Sequence, residues 1–176
     1  MKRSVKIWQL FNAAVVTLLG TLLHFSFDFS GGAIWAAPFS AVNESTAEHM
    51  KILFFPMLLF AIFQSFFFRE YPAFWCIKLK GTLLGLILIP VLFYTYNGVI
   101  GPSPDFVNIT IFFLAAGASA VYEARMLQKE ENACFAPWLA KASFLLIAAA
   151  FAFFTFYTPE IGLFLDPVSG AYGIRT

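Results

Sequence analysis

The sequence predicts an all-α membrane protein: a bundle of five transmembrane helices in one integral domain, residues 1–176, with the N-terminus cytoplasmic and the C-terminus external. Three observations predict it. Of the residues, 60% are hydrophobic, 24 of them Phe, and the mean hydropathy is +0.78. Only 12% are charged, about half the roughly 25% usual in soluble domains. The apolar residues fall into five runs of about 20, the length a helix needs to cross a bilayer core of about 30 Å. So few polar side chains cannot cover a globule of this size in water. A soluble enzyme, a nucleic-acid binder and a disordered tail are thereby excluded.

The first span covers residues 7–27. Lys2, Arg3 and Lys6 precede it as they would a signal peptide, but the run is long and no small-x-small cleavage site follows, so it reads as retained. Thr17, Thr21, His24 and Asp28 recur at i, i+4, i+7 and i+11, a polar stripe expected to face the bundle interior. At 1.5 Å per residue, His24 lies about 26 Å beyond Ile7, near the outer boundary. Residues 29–43 carry no charged residue and include Gly31, Gly32, Trp35, Pro38 and Phe39, which suits a segment lying in the interface or dipping back into the protein. Ser45 followed by Glu48 is a capping-box pattern, so the second helix is expected to begin near Thr46, a turn before its apolar run at 52–68.

The third span, 77–97, opens with Gly81 and Gly85 at small-x-x-x-small spacing. The fourth, 107–127, repeats that spacing in Ala116, Ala120 and Ala124. Such residues let helices approach closely in lipid, within one chain or across a homodimer. The fifth span is 138–158. Nine of the eleven basic residues fall on the side of the N-terminus, and only Lys51 and Arg175 on the other, which sets the orientation. Cys76 and Cys134 then both face the cytoplasm, where thiols stay reduced, and packing roles are expected for each.

Polar residues converge at the outer level. His24 and Asp28 end the first helix, and Glu44, Glu48 and His49 stand at the start of the second. Two imidazoles and neighbouring carboxylates are a ligand set for a divalent metal such as zinc, with iron and manganese as alternatives. His24 and His49 with Glu48, or with Glu44 in its place, are the expected metal ligands, Glu48, Glu44 and Asp28 the candidate catalytic carboxylates, and Asp28 the group that would orient His24. Ser45, Asn43, Tyr94, Asn97, Asn108 and Tyr157 are expected to line the same pocket. The competing reading is structural: Glu48 as a cap paired with Lys51, and His24 with Asp28 as a hydrogen-bonded i, i+4 pair.

The strings His24 to Asp28, Asn43-Glu44-Ser45 and Glu48-His49-x-Lys51, with the region around Asn97 and Asn108, resemble a small family of bacterial multi-pass membrane proteins of unknown function. The resemblance implies a bacterial inner-membrane protein and transfers no activity. His24, Asp28, Ser45 and His49 also resemble, more distantly, the ligands of membrane hydrolases that hold zinc with three His, an Asp and a Ser; those have seven spans and a third His. The leading expectation is a metal-dependent hydrolase or transferase acting on a lipid or other amphiphile. Its rivals are a small permease or substrate-binding subunit of a transporter, a haem protein ligated by His24 and His49, and a non-catalytic accessory subunit. Expected partners are the bilayer, an amphiphilic ligand and a second copy or membrane partner, with no nucleic acid.

Overall fold

The computed structural model describes residues 2–129 and 134–174. Among these are five α-helices: α1 (Lys2–Phe29), α2 (Thr46–Ser65), α3 (Phe74–Val99), α4 (Asp105–Leu127) and α5 (Pro137–Phe156). All five are long and apolar enough to cross a membrane. Arg175, one of the two basic residues expected on the outer side, lies outside the described residues.

The helix ends follow local chemistry. Ser45 caps α2, its side chain accepting the Glu48 N–H at 3.4 Å. The reciprocal half of the box is rerouted: the Ser45 N–H donates to Asn43 Oδ1, and the Glu48 carboxylate accepts from the Val42 N–H instead. α2 stops at Ser65, three residues short of the apolar run, because the Phe67 and Phe68 N–H groups both turn back onto the Gln64 carbonyl. α5 stops at Phe156, two residues early; Thr158 precedes Pro159, and the position before a proline disfavours helix.

Small residues set the packing. A Cβ on Gly81 would lie 2.6 Å from Glu123 Cγ, and one on Gly85 2.5 Å from Ser119 Oγ, so α3 and α4 approach as closely as they do only because both positions are glycine. Gly20 of α1 is pressed in the same way against Phe112 and the Ile52 carbonyl. Both Gly81 and Gly85, with the buried Ala116 and Ala120, are therefore used inside the chain. The mid-bundle core consists of Val16, Ile52, Leu53, Met57, Ile89, Ala115 and Ala116. α5 is seated by Phe144 and Phe151 against Phe54.

Cys76 and Cys134, expected as two separate reduced thiols, instead form a disulfide with Cα atoms 6.0 Å apart. The bond ties the first turn of α3 to the segment entering α5 and closes a loop over a separation of 58 residues. Sequence had no way to register this, because both helices must be placed before the two sulfurs are seen to meet.

The segment between α1 and α2 does dip back onto the protein. Ala36, Ala37, Ala41 and Val42 are buried, Phe39 packs on Phe55, and Ile34 and Trp35 remain exposed. Its anchor is a buried ion pair. Lys51 Nζ donates to Glu48 Oε2 at 2.6 Å, to the Ala37 carbonyl at 2.8 Å and to Thr155 Oγ1 of α5 at 2.9 Å. All three ammonium donors are thus used. The C-terminal tail folds over the same end. Tyr94 donates to the Gly162 carbonyl at 2.8 Å, Asn43 donates to the Gly173 carbonyl at 2.9 Å, and Ile174 packs on the loop cluster of Phe27, Ala36 and Val42.

Two outcomes are expected. Alkylation of the unfolded, unreduced chain should find no free thiol, whereas prior reduction should expose two; a chain alkylated at Cys76 without reduction would show that the bond does not form. Lys51→Met, which strands the buried Glu48 carboxylate, should cost about 3–5 kcal/mol in unfolding of the detergent-solubilised chain, and the double change Glu48→Gln with Lys51→Met should recover most of that.

Candidate metal centre

Three side chains meet at the end of the bundle where α1 finishes. His24 comes from the last turns of α1, Glu44 from the loop, and His49 from the first turn of α2. His24 Nε2 lies 3.7 Å from Glu44 Oε1 and His49 Nε2 3.7 Å from Glu44 Oε2. One ligand atom from each of the three falls within 4.8 Å of the others. Tetrahedral zinc with bonds of about 2.0–2.1 Å separates its ligand atoms by roughly 3.3 Å. Side-chain rotations of a few tenths of an ångström to about 1.5 Å would close the gap.

Local folding puts each group there. Asn43 bends the chain by accepting the Ser45 N–H at 2.9 Å, an Asx turn that brackets Glu44 and presents its side chain away from the loop interior. One helical turn past the cap, His49 Nδ1 bonds the Ser45 carbonyl at 2.9 Å. A carbonyl can only accept, so Nδ1 carries the hydrogen and Nε2 is left with its lone pair toward Glu44, the tautomer a metal ligand needs. His24 lacks such support: its Nδ1 is buried with no partner.

Two expected roles are corrected. Glu48 is neither ligand nor free base, because its carboxylate is taken by Lys51 and the Val42 N–H in a buried setting. Glu44, the other carboxylate considered with the two histidines, is the one that lies 3.7 Å from both imidazoles. Asp28 does not orient His24; it is exposed, and neither imidazole nitrogen of His24 bonds it. Of the polar stripe on α1, Thr17 and Thr21 bond their own helix carbonyls.

The three residues stand in the wall of a cavity of about 700 Å³. Facing them are Asn97, Ser103, Asp105 and Asn108, while Ile52, Phe93, Ile109, Phe112 and Phe113 make it apolar, and Pro167 and Val168 of the tail form part of its rim. The Asn97, Ser103 and Asn108 side chains are bonded into one unit: Asn97 Oδ1 accepts the Ser103 N–H at 2.9 Å, and Ser103 Oγ donates to Asn108 Oδ1 at 2.8 Å. Of the expected pocket residues, Asn97 and Asn108 line the cavity. Ser45 and Asn43 act on it from behind, as cap and turn. Tyr94 and Tyr157 do not line it: the first holds the tail, and the second stacks on Phe153.

Sequence reading missed a second polar cluster near the other end of the bundle. Lys78 and Glu123, both fully buried, pair at 2.5 Å, and Asn12 joins them. In the sequence Lys78 counts toward orientation alone. A signal was present: Lys78 and Glu123 each sit a full turn inside an apolar helix, where an ionisable group is expected to be functional or paired.

Neither a curated protein nor a solved structure matches the chain. A family model does, across residues 1–174. The chain belongs to the DUF6512 family, described as a family of unknown function, and is a five-helix member whose helices are all apolar enough to span a membrane.

Proposed function

We propose that this protein is a membrane-embedded, metal-dependent hydrolase or transferase acting on a lipid or other amphiphile, with His24, Glu44 and His49 holding a divalent cation. The convergence of two imidazoles and one carboxylate within 4.8 Å on the wall of an amphiphilic cavity carries the reading. Three protein ligands leave one tetrahedral position open, the arrangement of catalytic rather than structural zinc. Such a cation supplies Lewis acidity toward a carbonyl or phosphoryl oxygen.

The chain's own residues divide the remaining work. His49 is held in its ligating tautomer by the Ser45 carbonyl. Asn97, Ser103 and Asn108 offer amide and hydroxyl groups to a polar headgroup, and Phe93, Ile109, Phe112 and Phe113 accept a hydrocarbon chain. Thr21, Phe25, Ile109 and Phe113 are exposed on the outer surface of α1 and α4 as well as lining the cavity, so a lipid could enter from the bilayer between these helices. Asp105, which shares the cavity with Glu44, is the carboxylate left for proton transfer once Glu48 and Asp28 are removed from that role. Following the distribution of basic residues, we place the protein in the bacterial cytoplasmic membrane with this cavity on the outer side.

The test is metal content of the purified full chain supplemented with zinc. About one ion per chain is expected, given a three-ligand site. His49→Ala and Glu44→Gln should each weaken binding by more than the about 10–100-fold that loss of a supporting contact costs. Asp28→Asn should leave it unchanged. Folded protein that stays metal-free, or retains its ion in both ligand variants, overturns the reading.

A further inference from the structure

The two buried Glu–Lys pairs of this protein are built differently, and the difference is informative. Around Lys51 every ammonium donor has an acceptor, and Glu48 also receives a backbone N–H. Around Lys78 the arrangement differs. Among the described residues its ammonium meets Glu123 alone. Glu123 Oε2 takes both Lys78 and Asn12 Nδ2, the latter at 3.1 Å, while Glu123 Oε1 has no partner.

The neighbouring groups are unfilled as well. Asn12 Nδ2 donates to Glu123 and to Gln9 Oε1, which fixes the amide's orientation and leaves Asn12 Oδ1 buried and bare. Gln9 Nε2 and Thr82 Oγ1 are also buried without partners, Thr82 lying one turn beyond Lys78 on the same helix. Orphaned buried polar atoms are rare, and each calls for a missing partner. Here they gather around one ion pair. α3 has also given up a side chain at Gly81 to admit the Glu123 carboxylate. A pair kept only for stability would gain nothing from this arrangement, since apolar residues of like volume hold a bundle at least as well.

The structure thereby assigns, we propose, a second functional site: a hydrated proton-exchange site in which Glu123 takes up and releases a proton through water held among Gln9, Asn12, Lys78 and Thr82. Water, both donor and acceptor, matches a set of bare atoms that includes the Gln9 Nε2 donor, the Thr82 hydroxyl and the Asn12 and Glu123 acceptors. None of these residues lines the large cavity, and Asn12 is twelve residues from His24 along α1, about 18 Å. An organic solute therefore fits the other end and water fits this one. In uptake, Glu123 Oε1 forms an O–H bond with a proton brought by hydronium, which leaves as water. Release reverses the step. The groups facing Glu123 are the Lys78 ammonium from α3 and the neutral amides of Asn12 and Gln9 from α1, with Gly81 the close contact.

The test is infrared spectroscopy of the full chain in phosphatidylglycerol vesicles, through a pH series and on transfer to D2O. A carboxylic-acid C=O band that changes with bulk pH and shifts promptly in D2O is expected, absent in Glu123→Gln and retained in Asp28→Asn. Should Glu123→Gln fail to fold, Thr82→Val preserves the ion pair and is expected to slow the D2O shift severalfold. A Glu123 signal indifferent to both pH and D2O, or an exchange rate unaltered in Thr82→Val, overturns the proposal in favour of a purely structural pair. Metal content does not enter this measurement, so it stands or falls apart from the proposed hydrolase.

Discussion

An ammonium group inside an apolar bundle is tolerable only if each of its donors is met, and the arrangement around Lys51 follows from that demand. Its partners come from three parts of the chain: Glu48 one turn away, the Ala37 carbonyl from the loop, and Thr155 from α5. One side chain thus fixes where the loop crosses the bundle and how α5 meets α2. With Glu48 held by Lys51 and the Val42 N–H, the chain between Val42 and Ser45 has little freedom, and the Asx turn at Asn43 aims Glu44 at the two histidines. The tail is added to the same platform through the Gly173 carbonyl on Asn43. Removing Lys51 therefore bears on the candidate site without touching it.

This explains why the site was half legible in the sequence. The His pair, the cap at Ser45 and the start of α2 rest on spacings within a turn or two of helix, which a sequence displays directly. The choice between Glu44 and Glu48 does not. Both lie near His49 in sequence, but Glu48 is engaged by Lys51, whose other partners are the Ala37 carbonyl and Thr155, the latter 104 residues from Lys51. Tyr94 fails for a similar reason: the tail claims its hydroxyl, and the tail carries a bridge between Leu165 and Tyr172 that no hydrophobic period reveals.

At the other end, sequence reasoning treated Lys78 as one more basic residue in a count. Such counts weigh charges near helix ends without asking whether they are solvated. Lys80, two residues on, is exposed and fits the use; Lys78 does not. The disulfide adds a further constraint on the same face. Basic residues mark it as cytoplasmic, while a Cys76–Cys134 bond is the mark of an oxidising compartment. The two indicators disagree about one surface. With Lys78 and the equally buried Lys51 both set aside, the sequence count is eight against one, which is why the proposed orientation follows the basic residues.

Between the two polar ends lies a dry core. Along the seam of α1, α3 and α4, Asn12, Thr82 and Ser119 give way to Val16, Ile89, Ala115 and Ala116 before polar groups return at His24, Asn97 and Asn108. Among the described residues no hydrogen-bond chain crosses these apolar side chains, so the proposed proton site at Glu123 has no bonded route through them to the histidines. Any influence of one end on the other has to pass through the helices themselves. The contacts at Gly20, Gly81 and Gly85 leave no space for a side chain between the helices. Neutralising Glu123 would loosen its hold on Lys78 and Asn12, which are rooted in α3 and α1. Those two helices also carry Asn97 and His24 at their far ends, so α1 and α3 are shared by the buried pair and the walls of the cavity.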